Sequence, residues 1–131
     1  MPVLPKEERL SEKRLISMLF GKGKRFTVGS KDCLLRACYL PVERISENIA
    51  CKVMVNAPKS RFHHAVDRNR IKRLLREAYR FHKDLFVLSV PSGTLLLLSL
   101  QFTGNKDVSL PKMIQQIEKV GKTIQSRWPV A

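Results

Sequence analysis

The chain has 131 residues, 25 Lys and Arg against 11 Asp and Glu, and a formal charge of +14. Its 44% hydrophobic content supplies a core, which excludes a disordered basic tail, and its length fits one domain, residues 1–131. So much like charge in a compact domain repels itself, so a polyanionic partner is expected: nucleic acid first, an anionic membrane surface second.

The longest apolar run, Leu95–Leu98 continued through Ser99 to Leu100, is far short of the roughly 20 residues that span a bilayer. Met1-Pro2-Val3-Leu4-Pro5-Lys6-Glu7-Glu8 has no apolar signal-peptide core, so a cytoplasmic protein is expected. Cys33, Cys38 and Cys51 are odd in number and lack CxxC spacing. They read as buried free thiols rather than a disulfide framework or a zinc site.

In chain order, the first element is a helix from Ser11 to Phe20, with Leu15, Ile16, Leu19 and Phe20 at helical spacing. Ser11 is its expected N-cap, and Gly21-Lys22-Gly23 its stop. A short strand is expected around Phe26-Thr27-Val28, followed by strands over Cys33–Leu40 and Ile49–Val55, joined by a polar connection from Pro41 to Asn48. A polar loop from Asn56 to His64 leads into a helix from about Ala65 to Leu85. Thr94–Leu100 is Leu-rich but tightly bounded by Pro91-Ser92-Gly93 and Thr103-Gly104-Asn105, which favours a buried strand. Leu110, Met113, Ile114, Ile117, Val120 and Ile124 form a last helical stripe, with Pro111 in the first turn. The order α-β-β-β-α-β-α predicts an α/β (α+β) two-layer sandwich.

The chemistry concentrates between Lys59 and Lys83, where nine cations meet two acids, Asp67 and Glu77. At about 100° per residue, Ile71, Leu74, Leu75, Ala78 and Tyr79 share one side of the helix. Asn69, Lys72, Arg73, Arg76, Arg80 and Lys83 share the other. Solvated faces normally mix both signs to gain i,i+4 pairs. A face of one sign points instead to phosphates that neutralise it. Arg offers a planar fork to phosphate and can stack on bases, and Asn can meet a ribose hydroxyl or a base edge. The pattern suits a folded RNA, but a helix also enters a DNA major groove, so it leaves both open.

Arg68-Asn69-Arg70-Ile71-Lys72-Arg73-Leu74-Leu75-Arg76-Glu77 fills the pattern RNRxKRxxRE and resembles the signature of the bacterial ribonuclease P protein component. The resemblance covers about residues 8–125. It implies a fold of the ribosomal-S5-domain-2-like type with a left-handed βαβ crossover, whereas the general rule for such crossovers gives the opposite hand. It also implies a ribonucleoprotein subunit that binds ribonuclease P RNA and precursor tRNA and assists removal of the 5′ leader. The chemistry would be done by Mg²⁺ bound mainly by the RNA, with no obligatory protein partner.

Carried over residue by residue, the resemblance implies that Arg68, Asn69, Arg70, Lys72, Arg73, Arg76 and Arg80 contact the catalytic RNA. Phe20, Lys24, Lys59 and Arg61 would hold the single-stranded leader, Phe20 by stacking. Ile16 stands where many relatives have an aromatic, and Ser60, His63 and His64 replace residues that are often basic or Gly-Asn. No catalytic or metal-ligating residue is expected in the polypeptide, because two-metal nuclease chemistry needs clustered carboxylates and the 11 acids are scattered. The competing readings are a ribosomal or chromosomal binding protein with no processing role, and a membrane-surface protein. The last is weakened by the lack of a bulky aromatic anchor face on the basic helix.

Overall fold

The computed structural model describes residues 4–44, 49–88 and 90–127. Its elements are α1 (Lys13–Lys22), β1 (Lys24–Val28), β2 (Leu35–Glu43), β3 (Cys51–Asn56), α2 (Ala65–Phe81), α3 (Lys83–Val87), β4 (Thr94–Phe102) and α4 (Leu110–Arg127). Short 3-10 turns lie at Lys6–Glu8 and Lys31–Cys33. The strands form one sheet in the order β1-β2-β4-β3. β2 runs antiparallel to β1 and β4, and β3 parallel to β4. A parallel pair cannot be closed by a tight turn; here α2 and α3 make the crossover.

Leu95, Leu96, Leu97, Leu98 and Leu100 of β4 are all buried. A strand covered on both faces has no use for polar alternation, which explains its near-continuous Leu run. On one face, Leu35, Ala37 and Tyr39 of β2 and Leu96, Leu98 and Leu100 of β4 pack against Ile71, Leu75 and Ala78 of α2 and Met113, Ile117, Val120 and Ile124 of α4. This layer of helices on the sheet is the expected α/β sandwich. The other face carries a smaller cluster, in which Leu15 and Leu19 of α1 cover Cys38, Leu95 and Leu97. The three cysteines are free and buried.

The N-terminal segment covers the outer edge of β3. Leu4 is buried in the main core, Leu10 N–H donates to the Val53 carbonyl at 2.9 Å, and Glu8 pairs with Lys83. An unpaired strand edge is thereby blocked against adding a foreign strand.

Several boundaries differ from the sequence expectation. The N-cap of α1 is Glu12 rather than Ser11, and the helix runs through Gly21 and Lys22 to Gly23, whose N–H reaches the Leu19 carbonyl at 2.7 Å. Cys33 belongs to a 3-10 turn, and β2 begins at Leu35. β2 continues through Pro41, beyond Tyr39, the last residue with a β1 partner; with β4 on one side only, a residue lacking an N–H is tolerated there. The long helix breaks at His82, whose N–H is shared between the Ala78 and Tyr79 carbonyls at 3.2 and 3.1 Å. The break turns Phe86 of α3 into the core, with its ring 5.2 Å from that of Tyr79. β4 extends two residues further than expected because Phe102 is buried against Phe62, the rings stacked at 6.2 Å. Residues 45–48 of the polar connection and the C-terminal stretch from Trp128 lie outside the described residues.

Candidate nucleic-acid interface

The hydrophobic stripe of α2 puts Ile71, Leu75, Ala78 and Tyr79 in the core, so its six cations are directed away from the sheet. They are not equivalent. Asn69 and Arg73 are exposed, whereas Arg68, Arg70, Lys72, Arg76 and Arg80 are half-buried. Arg68 donates from Nη1 to the carbonyls of Phe62 (2.9 Å) and His63 (3.1 Å), closing the loop that precedes its own helix. Arg70 donates from Nη1 to the Lys106 carbonyl (2.7 Å) and from Nη2 to that of Val108 (2.8 Å). It therefore ties the β4–α4 connection to α2. A guanidinium has five N–H donors, so each arginine can hold a loop and still present donors outward.

The loop before α2 is fixed from both ends. Arg61 N–H and Phe62 N–H both turn back to the Pro58 carbonyl, at 3.1 and 2.9 Å. Phe62 is buried, while Lys59, Arg61, His63 and His64 are exposed. Arg61, both histidines, Asp32, Asp67 and Lys106 border a cavity of about 390 Å³ at this end of the molecule. Val66, on the first turn of α2, is 78% exposed in the midst of these polar groups.

The second surface lies on the opposite face of the sheet, where α1 stops short. Strand register aligns Thr27 of β1 with Arg36 of β2, Arg36 with Gln101 of β4, and Gln101 with Asn56 of β3. One polar row thus crosses all four strands. Beside it runs a second row, Arg25, Cys38 and Ser99. A groove of about 480 Å³ opens over Arg25, Thr27, Arg36, Ser99 and Gln101, with Phe20 at its edge. Phe20 is 41% exposed, and the Arg25 Nη2 donates to its carbonyl at 2.6 Å, which joins the end of α1 to the rim. Ile16 is half-buried in the cluster beneath α1.

The expected leader residues are only partly brought together. Phe20 borders the groove, but Lys24 pairs across with Tyr39 and so stands on the helix-layer face of β1; Arg25 takes the groove position instead. Lys59 and Arg61 sit on the loop between β3 and α2, and Arg61 borders the other cavity, with His63 and His64. Thr27, Arg36, Asn56, Ser99 and Gln101 escaped the sequence reading. Their signal was alternation: Arg36 between Leu35 and Ala37, and Ser99 and Gln101 between Leu98, Leu100 and Phe102. Among the described residues, no cluster of three or more His, Cys, Asp or Glu could hold a metal ion. No described helix is long and apolar enough to cross a membrane.

A family profile described as ribonuclease P matches residues 4–125. The chain is 45% identical over 85 residues to a ribonuclease P protein component of Porphyromonas gingivalis, covering 63% of this chain and 56% of that one. It is 40% identical over 82 residues to the component from Chlorobaculum tepidum, covering 63% and 52%. The chain thus matches just over half the length of these curated relatives. Among solved structures, an RNase P protein of Staphylococcus aureus superposes with a TM-score of 0.59 at 19% identity, over 89% of this chain and 94% of that one. Another from the same organism gives 0.56 at 20%, over 99% and 100%. At such identities, this likeness is one of fold.

Proposed function

The chain belongs to the ribonuclease P family, and on that premise we propose that it is the RNA-binding protein subunit of a ribonuclease P that matures the 5′ end of precursor tRNA in the cytoplasm. α2 and the two loops it holds dock the catalytic RNA through Asn69, Lys72, Arg73 and the outward donors of Arg68, Arg70, Arg76 and Arg80. The groove on the far face takes the unpaired leader. Phe20 stacks on a base, while Arg25 and Arg36 meet its phosphates and Gln101 and Asn56 offer hydrogen bonds. Lys59 and Arg61 bridge the two surfaces. The observation that carries this reading is the exposed Phe20 beside a polar row that crosses the sheet, on the face opposite the cationic helix.

Mg²⁺ is assigned to the RNA. The two carboxylates nearest the loop, Asp32 and Asp67, share their cavity with Arg61 and Lys106, whose charge disfavours a dication there. The polypeptide then positions RNA without cleaving it and needs no protein partner. The competing reading, a ribosomal or chromosomal binding protein, shares only the basic helix and has no use for the groove. The test compares the affinity of the reconstituted ribonucleoprotein for precursor tRNA with a 5′ leader and for the mature tRNA. A protein-dependent preference for the leader-bearing form is expected. Equal affinities with and without protein would refute the groove assignment.

A further inference from the structure

The cavity of about 390 Å³ at the start of α2 falls in the roughly 300–1,000 Å³ range of small-molecule clefts. Three segments far apart in sequence make it: the turn at Asp32, the loop leading into α2, and the β4–α4 connection. They are tied to one another largely through the main chain. Asn105 N–H donates to the Asp32 carbonyl at 2.7 Å, and Arg61 Nε more loosely to the Gly104 carbonyl at 3.4 Å. Gly104 permits this approach, since a Cβ there would collide with the Asp32 carbonyl and the Phe102 ring. Arg68 holds the Phe62 and His63 carbonyls from the other side.

The side chains left to the cavity are unusual for a face that meets RNA. Asp32 and Asp67 both line it, and among the described residues neither carboxylate has an ion pair or a side-chain hydrogen bond. Arg61 and Lys106 line the same cavity and leave them unpaired. The helix dipole favours an acid such as Asp67 in the first turn of α2, but that does not account for Asp32, which comes from a separate turn. RNA docking through phosphates gives no part to these carboxylates, which repel phosphate.

An ionised carboxylate only accepts hydrogen bonds, so what it offers a nucleic acid is a match for donors on a base edge. Of the four RNA bases, only guanine sets two adjacent donors, N1–H and the N2 amino group, on its Watson–Crick edge. Those two donors meet both oxygens of one carboxylate. Unpaired bases are read on that edge, and imidazoles stack on their faces. We propose that this cavity takes a guanine base, with its Watson–Crick edge on Asp67 and its ring against the exposed imidazoles of His63 and His64. Asp67 is the more sheltered of the two carboxylates and holds the edge; Asp32 offers an acceptor to a ribose hydroxyl. On the proposed function the base is an unpaired guanine of the catalytic RNA, and a free guanine nucleotide presents the same edge.

The test has two arms. In the first, GMP, AMP, CMP and UMP are each titrated into the full chain, and NMR follows the amides of residues 61–67 and 104–106. All four carry the same phosphate, so a difference among them reports the base. GMP should bind at least about tenfold more tightly than the others. Asp67→Asn should abolish the preference, because an amide sets a donor against one of guanine's donors. Asp107→Asn, outside the cavity, should keep it. Replacing His63 and His64 together by Ala should weaken all four nucleotides about fivefold or more. No saturable binding, equal affinity for the four nucleotides, or a guanine preference retained in Asp67→Asn would overturn the site. The comparison in the parent chain decides the matter by itself if Asp67→Asn does not fold. The second arm rests on the proposed function and measures binding to ribonuclease P RNA with GMP or AMP in excess. Competition by GMP alone identifies the occupant as a guanine of the RNA. No competition, with the first arm positive, identifies a site for a free guanine nucleotide. Failure to bind that RNA at all would contradict the proposed function and leave the first arm standing.

Discussion

Arg70 reaches across from α2 to the Val108 carbonyl, 2.8 Å from its Nη2 and two residues before α4 begins. Its Nη1 holds the Lys106 carbonyl of the same connection. A residue that sequence places in the RNA contact is therefore also a clamp between two helices of the core layer. The α2 arginines should divide accordingly when substituted.

Arg70→Ala should lower unfolding free energy by about 1–3 kcal/mol, because charge-assisted bonds are lost and two carbonyls are left to water. Arg73→Ala, on the exposed side, should stay within about 0.5 kcal/mol of the parent. It should still lower the slope of log RNA affinity against log salt by about one. Denaturant unfolding and salt-dependent binding separate the two. Equal stability of both variants would remove the clamp from Arg70.

Phe20→Ala should leave thermal stability almost unchanged, since the ring is 41% exposed. Affinity for a single-stranded leader should weaken by about 1–3 kcal/mol, one stacked base's worth. A loss of stability with leader affinity intact would assign the ring to the core.

Arg36→Ala, in the middle of the polar row, should lower leader affinity and its salt dependence while leaving affinity for the catalytic RNA as it was. The row lies on the sheet face away from α2, so the two effects separate by geometry. Fluorescence binding with leader-bearing and leaderless tRNA reads this directly; a fall in catalytic-RNA affinity alone would contradict it.

Alkaline pH should unfold the protein through Cys51 and Tyr79. Burial pushes the Cys51 thiol up from 9.0 to about 12, and burial also raises the Tyr79 phenol well above its ordinary value. Both folded pKa values lie above the unfolded ones. The stability they contribute is thus complete below the unfolded pKa and declines as pH rises toward the folded one, by about 1.4 kcal/mol per pH unit for each titrating group. Cys51→Val should flatten the decline between about pH 9 and 12, as measured by urea midpoints across that range. The Tyr79 hydroxyl is buried with the Cys51 thiol as its polar neighbour and no oxygen or nitrogen partner. Tyr79→Phe should therefore be close to neutral in stability at pH 7.

The face of α2 was legible in sequence because a long helix repeats its apolar period often enough to fix which residues point inward. The type of β4 followed from its tight flanks. What eluded sequence was what depends on partners far along the chain. The Arg70 bonds span 36 and 38 residues. The break at His82 follows from the packing of Phe86 on Tyr79 and from no breaker in the sequence. The row Thr27–Arg36–Gln101–Asn56 exists only once four strands are in register, since each strand contributes one residue to it and no strand shows it alone. Lys24 and Arg25 differ by one position, and in a strand one position changes the face.

The proposed function makes this chain the assistant of an RNA that cuts. Its most direct test is the cleavage of precursor tRNA by a bacterial ribonuclease P RNA at limiting Mg²⁺, with and without the protein, alongside the protein alone. A protein-dependent increase in correct 5′ cleavage is expected with the RNA present, and none from the protein alone. No stimulation over the RNA by itself, or cleavage by the polypeptide without RNA, would contradict it.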